Sequence, residues 1–284
     1  MIPMAFEYER AASLRDALKA VGANDGTKVL AGGHSLLPLM KLRLGWAPKV
    51  VDIAHLEELR GVEEHRRGAR IGSGTTYREL LSSGLLRERF PIIGEAARVV
   101  ADLQVRNRGT LGGSLVHADP ASDMPAVMLA LDARLRLRSK RRKRTVAARE
   151  FFKGPFETAM EPDELLIDIE LPGPPRTGGS AYVSFRQLAS GYAMAGAAVV
   201  MKVSRRRIKE CALAFTGVAD RVFLASTDGL VNTKGETEII AEVARKSVDG
   251  VDVVSDIHAP QDYRRQLAAM AAARALTTAL SRAQ

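Results

Sequence analysis

The sequence predicts an α+β protein of two domains, and three observations carry that prediction. Gly32-Gly33 lies between a strand-like apolar run and a helix-like run, and a second pair, Gly112-Gly113, occurs further along the chain. A proline- and glycine-rich stretch from Pro172 to Gly179 is typical of a linker. Beyond it, alternating apolar and polar residues indicate antiparallel strands, and an alanine-rich stretch indicates a helix.

The first domain is predicted over residues 1–175, with subdomains of about 1–55 and 56–175. Its expected helices and strands follow from apolar periodicity and from the positions of glycine and proline. They are a helix near Ala11 to Val21, strands at Lys28 and at Lys49 to Ile53, a strand from Ala69 to Gly72, and helices from Tyr77 to Arg89 and from Ile92 to Ala101.

The second domain is predicted over residues 176–284. Three alternating runs, around Tyr182, Val199 and Leu213, indicate an antiparallel sheet, and Gln261 to Leu280 indicates a long helix. A chain of 284 residues exceeds the size at which one core is easily kept, so two domains are the natural expectation.

The first glycine pair belongs to the turn Ala31-Gly32-Gly33-His34-Ser35-Leu36. Adjacent glycines let an anion approach the main chain, and a helix start adds unpaired N–H groups. Ser35 is the expected N-cap, and Pro38 suits the first turn of the helix. The turn therefore predicts a phosphate site.

The second glycine pair belongs to Thr110-Leu111-Gly112-Gly113-Ser114, and a capped helix start is expected after it at Ser122. One such turn is common, whereas two predict a diphosphate held from both sides. The chain has neither the G-x-G-x-x-G nor the G-x-x-x-x-G-K-[ST] pattern, which disfavours a Rossmann or P-loop protein.

Three longer segments carry a more specific signal: Ala31 to Leu44, Gln104 to Ser114, and His117 to Asp123. They closely resemble the FAD-binding medium subunit of the molybdenum hydroxylases, a family that includes aerobic carbon monoxide dehydrogenase and xanthine dehydrogenase. The resemblance reaches the C-terminal domain through Phe185-Arg186-Gln187 and Thr216-Gly217-Val218. It implies a two-subdomain FAD-binding fold of the PCMH/vanillyl-alcohol-oxidase type, followed by a smaller α+β domain with an antiparallel sheet and helices.

The same resemblance implies the residues that bind FAD. Both glycine segments would hold the pyrophosphate, Asp123 would bond to the adenosine half, Leu166 would lie near the nucleotide, and Arg186 would take a position close to the flavin that is often lysine. The full predicted set is Ala31, Gly32, Gly33, His34, Ser35, Leu36, Thr110, Leu111, Gly112, Gly113, Ser114, Asp123, Leu166, Arg186 and Tyr192.

Two members of this set have alternative interpretations. Tyr192 would stack on the isoalloxazine and exclude water, or it is a strand tyrosine packed between sheet and helix. His34 stands where related sequences often have glutamine, so its ring either bonds to the cofactor or fills the turn.

The resemblance also implies an oxidoreductase subunit and its partners. Substrate would be hydroxylated at a molybdenum cofactor in a large subunit, and electrons would pass through [2Fe-2S] clusters of a small subunit to FAD in this chain. An external acceptor, NAD, quinone or another, would then be reduced. The expected assembly is a dimer of heterotrimers, and no side chain of this subunit is expected to act as a catalytic acid or base.

Cysteine and histidine usage gives no indication of a metal or iron–sulfur site in this chain. The single cysteine, Cys211, allows no internal disulfide and no iron–sulfur cluster, and a buried structural thiol is expected. The five histidines lack metal-ligand spacing, so no metal site is predicted. The N-terminus lacks the pattern of a signal peptide and no long apolar run occurs, which predicts a cytoplasmic protein without an integral membrane segment.

The formal net charge of +9 is local, because eight basic residues fall between Arg134 and Arg144 and the remaining chain carries +1. A solvated hairpin is the preferred interpretation, and the span has no aromatic platform for nucleic acid. Two other functions remain open at this point. One is a stand-alone NAD(P)H-dependent flavin reductase of the same fold, and the other is a non-enzymatic binding module that uses the hairpin at residues 134–144.

Overall fold

The computed structural model describes residues 1–23 and 26–283 and confirms the α+β class. The N-terminal unit consists of β1 (Glu7–Arg10), α1 (Leu14–Val21), β2 (Lys28–Leu30), α2 (Leu36–Lys41) and β3 (Lys49–Asp52). Its three strands form a parallel sheet in the order β1-β3-β2. Ser13 caps α1 by accepting a hydrogen bond from the backbone amide of Asp16, and the apolar face of α1 packs on Val51.

The second unit contains five longer strands, two short ones and seven helices among the described residues. They are β4 (Val62–His65), β5 (Gly68–Gly72), α3 (Tyr77–Ser82), α4 (Gly84–Arg89), α5 (Pro91–Val99), α6 (Leu103–Arg108), α7 (Leu111–His117), α8 (Asp123–Ala130), β6 (Arg134–Arg138), β7 (Lys143–Ala147), α9 (Ala148–Phe151), β8 (Phe152–Gly154), β9 (Glu157–Thr158) and β10 (Leu165–Leu171). The main sheet has the order β4-β5-β10-β6-β7 and is antiparallel throughout.

The predicted helix from Tyr77 to Arg89 is two helices, which corrects the sequence-based expectation. Ser83 has an extended backbone between them, and its hydroxyl accepts a hydrogen bond from the amide of Leu86. Serine competes well as an N-cap and is only a moderate helix former, so capping divides the apolar pattern into α3 and α4.

The C-terminal domain has the predicted antiparallel sheet with a long helix across it. Its elements are β11 (Gly178–Arg186), β12 (Ala193–Ser204), β13 (Arg207–Thr216), β14 (Phe223–Ala225), α10 (Thr237–Lys246) and α11 (Gln261–Arg282). The strands follow the order β11-β12-β13-β14, and α11 packs on β11 and β12. Cys211 lies on β13 and is half-buried, less enclosed than expected, and burial raises the pKa of its thiol to about 12.

The two domains are joined by contacts around α5 and α8. The backbone amide of Tyr182 on β11 donates to Glu95 at 2.8 Å, and the same carboxylate pairs with Arg282 at 2.6 Å. The hydroxyl of Thr216 contacts the carbonyl oxygens of Pro120 and Ser122 at 2.8 and 2.7 Å. The C-terminal sheet therefore fixes the segment that leads into α8.

The basic span forms the predicted hairpin, β6 and β7, and its arginines are partly neutralised. Arg136 makes a two-pronged contact with Asp168, and Arg144 makes another with Glu164. The Glu164 side chain is only 1% exposed, so its charge depends on these partners. Its burial raises the pKa, but hydrogen bonds from Arg144 and from the Glu161 amide outweigh burial and hold the pKa below its usual value.

Glu164→Gln is expected to lower the free energy of unfolding by about 2 kcal/mol at neutral pH, because charge-assisted hydrogen bonds to arginine are lost. A carboxyl with a depressed folded pKa stabilises the fold above its unfolded pKa of about 4.3 and loses that contribution as pH falls through the folded value. Urea unfolding should therefore show the difference between variant and parent shrinking at about pH 3. Glu210→Gln, which disrupts an exposed pair with Lys202, is the control and should change stability by less than about 0.5 kcal/mol. An equal loss at both pH values would contradict the assignment.

Candidate functional site

The predicted turn between β2 and α2 has free backbone amides. Among the described residues, the amides of residues 32–36 have no hydrogen-bond acceptor. Gly33 has a φ of +79°, the left-handed region that glycine adopts without strain. Ser35 occupies the N-cap position but makes no capping bond, and His34 is exposed and does not fill the turn. Consecutive unpaired N–H groups at a helix start favour an anion.

Gly32 lies directly against the approach to the second glycine segment. A Cβ atom on Gly32 would lie 2.4 Å from the carbonyl oxygen of Arg108 and 2.8 Å from the Cα of Gly109. Both are backbone atoms, so only glycine permits this approach. The two segments that were predicted to grip one diphosphate are therefore neighbours in space.

The second segment differs from its prediction as a free turn, because it forms the first turn of α7. The amides of Leu111 and Gly112 donate to the carbonyls of Thr75 and Ser73 at 2.9 and 2.8 Å. The amide of Gly113 donates to the side chain of Thr110 at 3.0 Å. These three amides are thus used within the fold, and what the segment can still offer a ligand is its hydroxyl groups and the exposed face of Gly113.

Ser114 and Tyr77 connect this segment to the start of α8. The Ser114 hydroxyl lies 2.6 Å from that of Ser122, which occupies the predicted N-cap position without making a capping bond. Burial is the main reason that the pKa of Tyr77 is raised, and nearby Asp123 and Tyr192 raise it further, against a hydrogen bond with Ser114. The Tyr77 ring also lies against Gly109, 3.0 Å from where a Cβ on that glycine would be, so it borders the second segment.

Asp123, Tyr182 and Arg186 form a buried cluster between the domains. The Tyr182 hydroxyl donates to Asp123 Oδ1 at 2.5 Å, and Arg186 Nη2 lies 3.6 Å from Asp123 Oδ2. Burial raises the pKa of Asp123, while Arg186 and the Tyr182 hydrogen bond oppose the rise. Arg186 Nη2 also donates to the carbonyl of Gly191, and its buried Nη1 has no acceptor among the described residues. An unpaired buried donor is costly and suits a ligand oxygen.

Tyr192 precedes β12 and is half exposed, so it is not the packed strand tyrosine of the alternative interpretation. Burial of its inner part raises its pKa, and Asp119 adds to the rise. The ring lines a cavity of about 390 Å³ together with Gln187 and Met194. An aromatic ring that borders a cavity with one face accessible can stack on a planar ligand.

Leu166 is a predicted residue that lies in the protein interior. It is 4% exposed on β10, paired with Leu137 of β6, within the core of the second unit. The strand reaches the site through its backbone, because the Ile167 carbonyl accepts from the amide of Ser73 at 2.9 Å. The predicted contact of Leu166 with the nucleotide stays a prediction.

The predicted FAD-binding set did not include Tyr77, Tyr182 or Thr216, although the structure places all three against the site. Tyr77 is the first residue of α3. It directly follows Thr76, which forms a capping box with Glu79, and this box was the signal available in the sequence. Tyr182 and Thr216 lie on strands of the C-terminal domain. An alternating pattern there cannot distinguish a residue in the core of that domain from one that contacts the FAD-binding domain.

No helix in residues 1–23 and 26–283 has both the length and the apolar character to cross a bilayer.

Comparison with known proteins assigns both parts of the chain. Residues 4–174 match the family model of the FAD binding domain in molybdopterin dehydrogenase, and residues 180–279 match that of the CO dehydrogenase flavoprotein C-terminal domain. The chain is 38% identical to the glyceraldehyde dehydrogenase medium chain of Sulfolobus acidocaldarius, over 94% of this chain and 95% of the relative. It is 36% identical to the carbon monoxide dehydrogenase medium chain of Afipia carboxidovorans, over the full length of both.

Solved structures agree with the sequence relatives. The fold superposes on a chain of carbon monoxide dehydrogenase from Hydrogenophaga pseudoflava with a TM-score of 0.96 and 35% identity, covering 99% of each chain. The agreement extends over both domains, so it concerns the whole described architecture.

Proposed function

We propose that this chain, which belongs to the FAD-binding medium-subunit family of the molybdenum-containing dehydrogenases, is the electron-transfer subunit of a heteromeric molybdenum hydroxylase. It is an oxidoreductase subunit whose cofactor is FAD, with molybdenum and iron–sulfur centres in other subunits. In this proposal it receives electrons from the iron–sulfur clusters of a partner subunit and passes them to an external acceptor.

The observation that carries the proposal is the run of free amides at residues 32–36 beside Arg108 and Gly109. We call the turn at residues 32–36, together with the adjoining Arg108 and Gly109, the cradle. It fits a pyrophosphate because its donors are backbone N–H groups and because Arg108 and Gly109 leave no room for a Cβ atom on Gly32. The buried Nη1 of Arg186 fits a further oxygen of the cofactor. The remaining predicted residues, including Asp123, Leu166 and Tyr192, complete the proposed set.

Flavin supplies a centre that accepts electrons singly and releases them as a pair. The side chains of this subunit position and shield that centre. The turn at residues 32–36 would hold the pyrophosphate, Arg186 would hold a flavin oxygen, and Tyr192 would cover one face and exclude water. No acid or base is required of this chain.

The test is isolation of the chain with its native partners, followed by measurement of FAD, iron and molybdenum. We expect one FAD for each copy of this chain, iron in a small subunit and molybdenum in a large one. When the substrate reduces the complex, the flavin absorbance should bleach. Removal of the small subunit should prevent this bleaching. A complex whose flavin bleaches equally well without the small subunit would contradict the proposed electron path.

Tyr192→Ala should weaken FAD binding about three- to tenfold, since an aromatic stacking pair contributes about 0.5–1.5 kcal/mol. The measurement is FAD titration of apoprotein followed by quenching of flavin fluorescence. Tyr263→Ala is the control, because that ring is 47% exposed on α11 and should leave the affinity unchanged. Equal affinities for the parent and the Tyr192 variant would remove Tyr192 from the proposed contacts.

Three further statements belong to the proposal. The dimer of heterotrimers, the cytoplasmic location and the external acceptor, which is NAD, quinone or another oxidant, stay predictions. The relatives are dehydrogenase subunits, which favours this function over a stand-alone flavin reductase and over a binding module built on the hairpin at residues 134–144.

A further inference from the structure

Arg264 is a buried charged residue to which the proposed function has given no role. It lies in the first turn of α11 and is 3% exposed. Its Nη1 donates to the carbonyl oxygens of Met194 and Gly217, both at 2.7 Å, and its Nη2 donates to Asp256 at 2.6 Å. Leaving a buried charge or its partners unpaired is costly, so this guanidinium fixes the position of the groups that it contacts.

The Met194 carbonyl belongs to an irregular point of the C-terminal sheet. The register of β12 with β11 skips Met194, which lies between the paired residues Ala193 and Ala195. The register of β12 with β13 begins only at Gly196. An extra residue of this kind is a β-bulge, which bends the strand and changes the direction in which neighbouring side chains point. Arg264 therefore holds the carbonyl at the point where β12 departs from regular pairing.

The Gly217 carbonyl belongs to a segment that contacts the FAD-binding domain. The Gly217 amide donates to the carbonyl of Pro120, in the loop before α8, at 2.7 Å. Gly217 has a φ of +72°, and a Cβ atom there would lie 2.4 Å from the carbonyl oxygen of Ala193. The start of β12 and the end of β13 are thus in direct backbone contact. Through its two carbonyl contacts, Arg264 holds both segments next to the loop before α8.

Tyr192 lies two residues before the bulge and lines the same cavity as Arg264 and Met194. The Tyr192 side chain is half exposed, so its position depends strongly on the backbone that carries it. On one side, the amide of Gln187 donates to the Tyr192 carbonyl at 2.9 Å. On the other side, the backbone is held at Met194 by Arg264. These two contacts determine where the ring is presented.

We propose that Arg264 is a positioning residue for the flavin, because it fixes the backbone that presents the Tyr192 ring to the isoalloxazine. This inference rests on the proposed function, which is what places Tyr192 against the flavin. Arg264 acts through the Met194 and Gly217 carbonyls and is not itself assigned a contact with the cofactor. Without the guanidinium, the bulge is free to relax and the Tyr192 ring loses its stacking position.

The test uses Arg264→Met in the full-length chain within its native complex, from which FAD is removed and then titrated back. The measurement is FAD affinity, followed by quenching of flavin fluorescence. We expect affinity to fall about three- to tenfold, the range expected for Tyr192→Ala, because both changes remove the same stacking contact. In a Tyr192→Ala background, Arg264→Met should cause less than about a twofold further loss, since that contact is already absent.

Arg265→Met is the matched control on the same helix. Arg265 also donates to two backbone carbonyls, those of Val248 and Val251 at 2.7 and 2.8 Å, and neither valine lines the cavity beside Tyr192. Urea unfolding should show a loss of stability for both arginine variants, whereas FAD affinity should fall only for the Arg264 variant. Arg264→Lys keeps the charge but loses the planar fork, so it should show a smaller loss of affinity in the same direction. It carries the test if Arg264→Met does not fold.

The outcomes separate this inference from the proposed function. Folded Arg264 variants that bind FAD as tightly as the parent would overturn the inference while leaving the function intact. Equal losses of affinity in the Arg264 and Arg265 variants, or a full additional loss in the Tyr192→Ala background, would also overturn it, because Arg264 would then have only a general structural role. A native complex that holds no FAD would overturn the proposed function, and the inference with it.

Discussion

Gly32→Ala is expected to abolish FAD retention by the purified protein. The added methyl group would lie 2.4 Å from the Arg108 carbonyl oxygen, and neither that atom nor the Gly109 Cα is at the end of a flexible side chain. The two backbone segments must therefore separate. Misplacing two amides that bond to a charged phosphate costs about 1.5–3 kcal/mol each, which corresponds to at least about a hundredfold loss of affinity.

The measurement is the FAD-to-protein absorbance ratio after gel filtration, together with the midpoint of urea unfolding. Overpacking should cost the fold only about 1–3 kcal/mol, so the variant is expected to remain folded. Gly84→Ala is the control, because no atom lies within 4 Å of the new methyl group. A folded Gly32 variant with full FAD content would refute the cradle.

Asp123→Ala is expected to lower the free energy of unfolding by about 3 kcal/mol and to weaken FAD binding at least about tenfold. The change leaves the buried Tyr182 hydroxyl without its acceptor and Arg186 without its carboxylate. It also disturbs the start of α8, where Ser122 meets Ser114 across 2.6 Å. Urea unfolding and FAD titration measure the two effects.

Two controls define the role of the Asp123 carboxyl. Asp132→Ala removes a carboxylate from an exposed pair with Arg149 and should cost less than about 1 kcal/mol. Asp123→Asn should cost clearly less than Asp123→Ala, because its amide oxygen still accepts from Tyr182 and because burial, which raises the pKa of the Asp123 carboxyl, already disfavours the charge that the change removes. A raised acid pKa makes the parent lose stability as pH rises, so the Asn variant should lack that slope. An Asn variant as unstable as the Ala variant would contradict this assignment.

The elements that were predicted well are those in which a regular apolar pattern continues over many residues. α11 and the strands around Val199 and Leu213 were found because their buried faces repeat over many residues. β1 was not predicted, because three of its four residues are charged and none is buried, and its contacts with β3, which include ion pairs of Glu7 and Glu9 with Lys49, are tertiary. α6 was missed for a similar reason, since none of its residues is buried.

The site was predictable where one short segment forms it and unpredictable where distant segments meet. Residues 31–36 carry their own strand, turn and helix signals, so the free amides followed from local chemistry. The amides of Leu111 and Gly112 donate instead to the carbonyls of Thr75 and Ser73, a tertiary contact that no local pattern contains. The Tyr182 bond to Asp123 spans 59 residues for the same reason.

The chain's chemistry also explains why it does not reveal the substrate. The relatives include medium chains of a glyceraldehyde dehydrogenase and a carbon monoxide dehydrogenase, two very different substrates, and both match this chain over at least 94% of its length. Nothing in the described cradle distinguishes between them. We infer that substrate choice belongs to a partner.

The contact of Thr216 with the two carbonyls before α8 has a consequence for how the two domains fold. Although proline and glycine separate the halves along the chain, the later half supplies two donors to main-chain oxygens of the earlier one: the Thr216 hydroxyl, near the carbonyls of Pro120 and Ser122, and the Gly217 amide, which donates to Pro120 at 2.7 Å. Each half thus completes the other's hydrogen bonding. The linker therefore does not divide the chain into independently stable units. The two domains are expected to fold and unfold cooperatively.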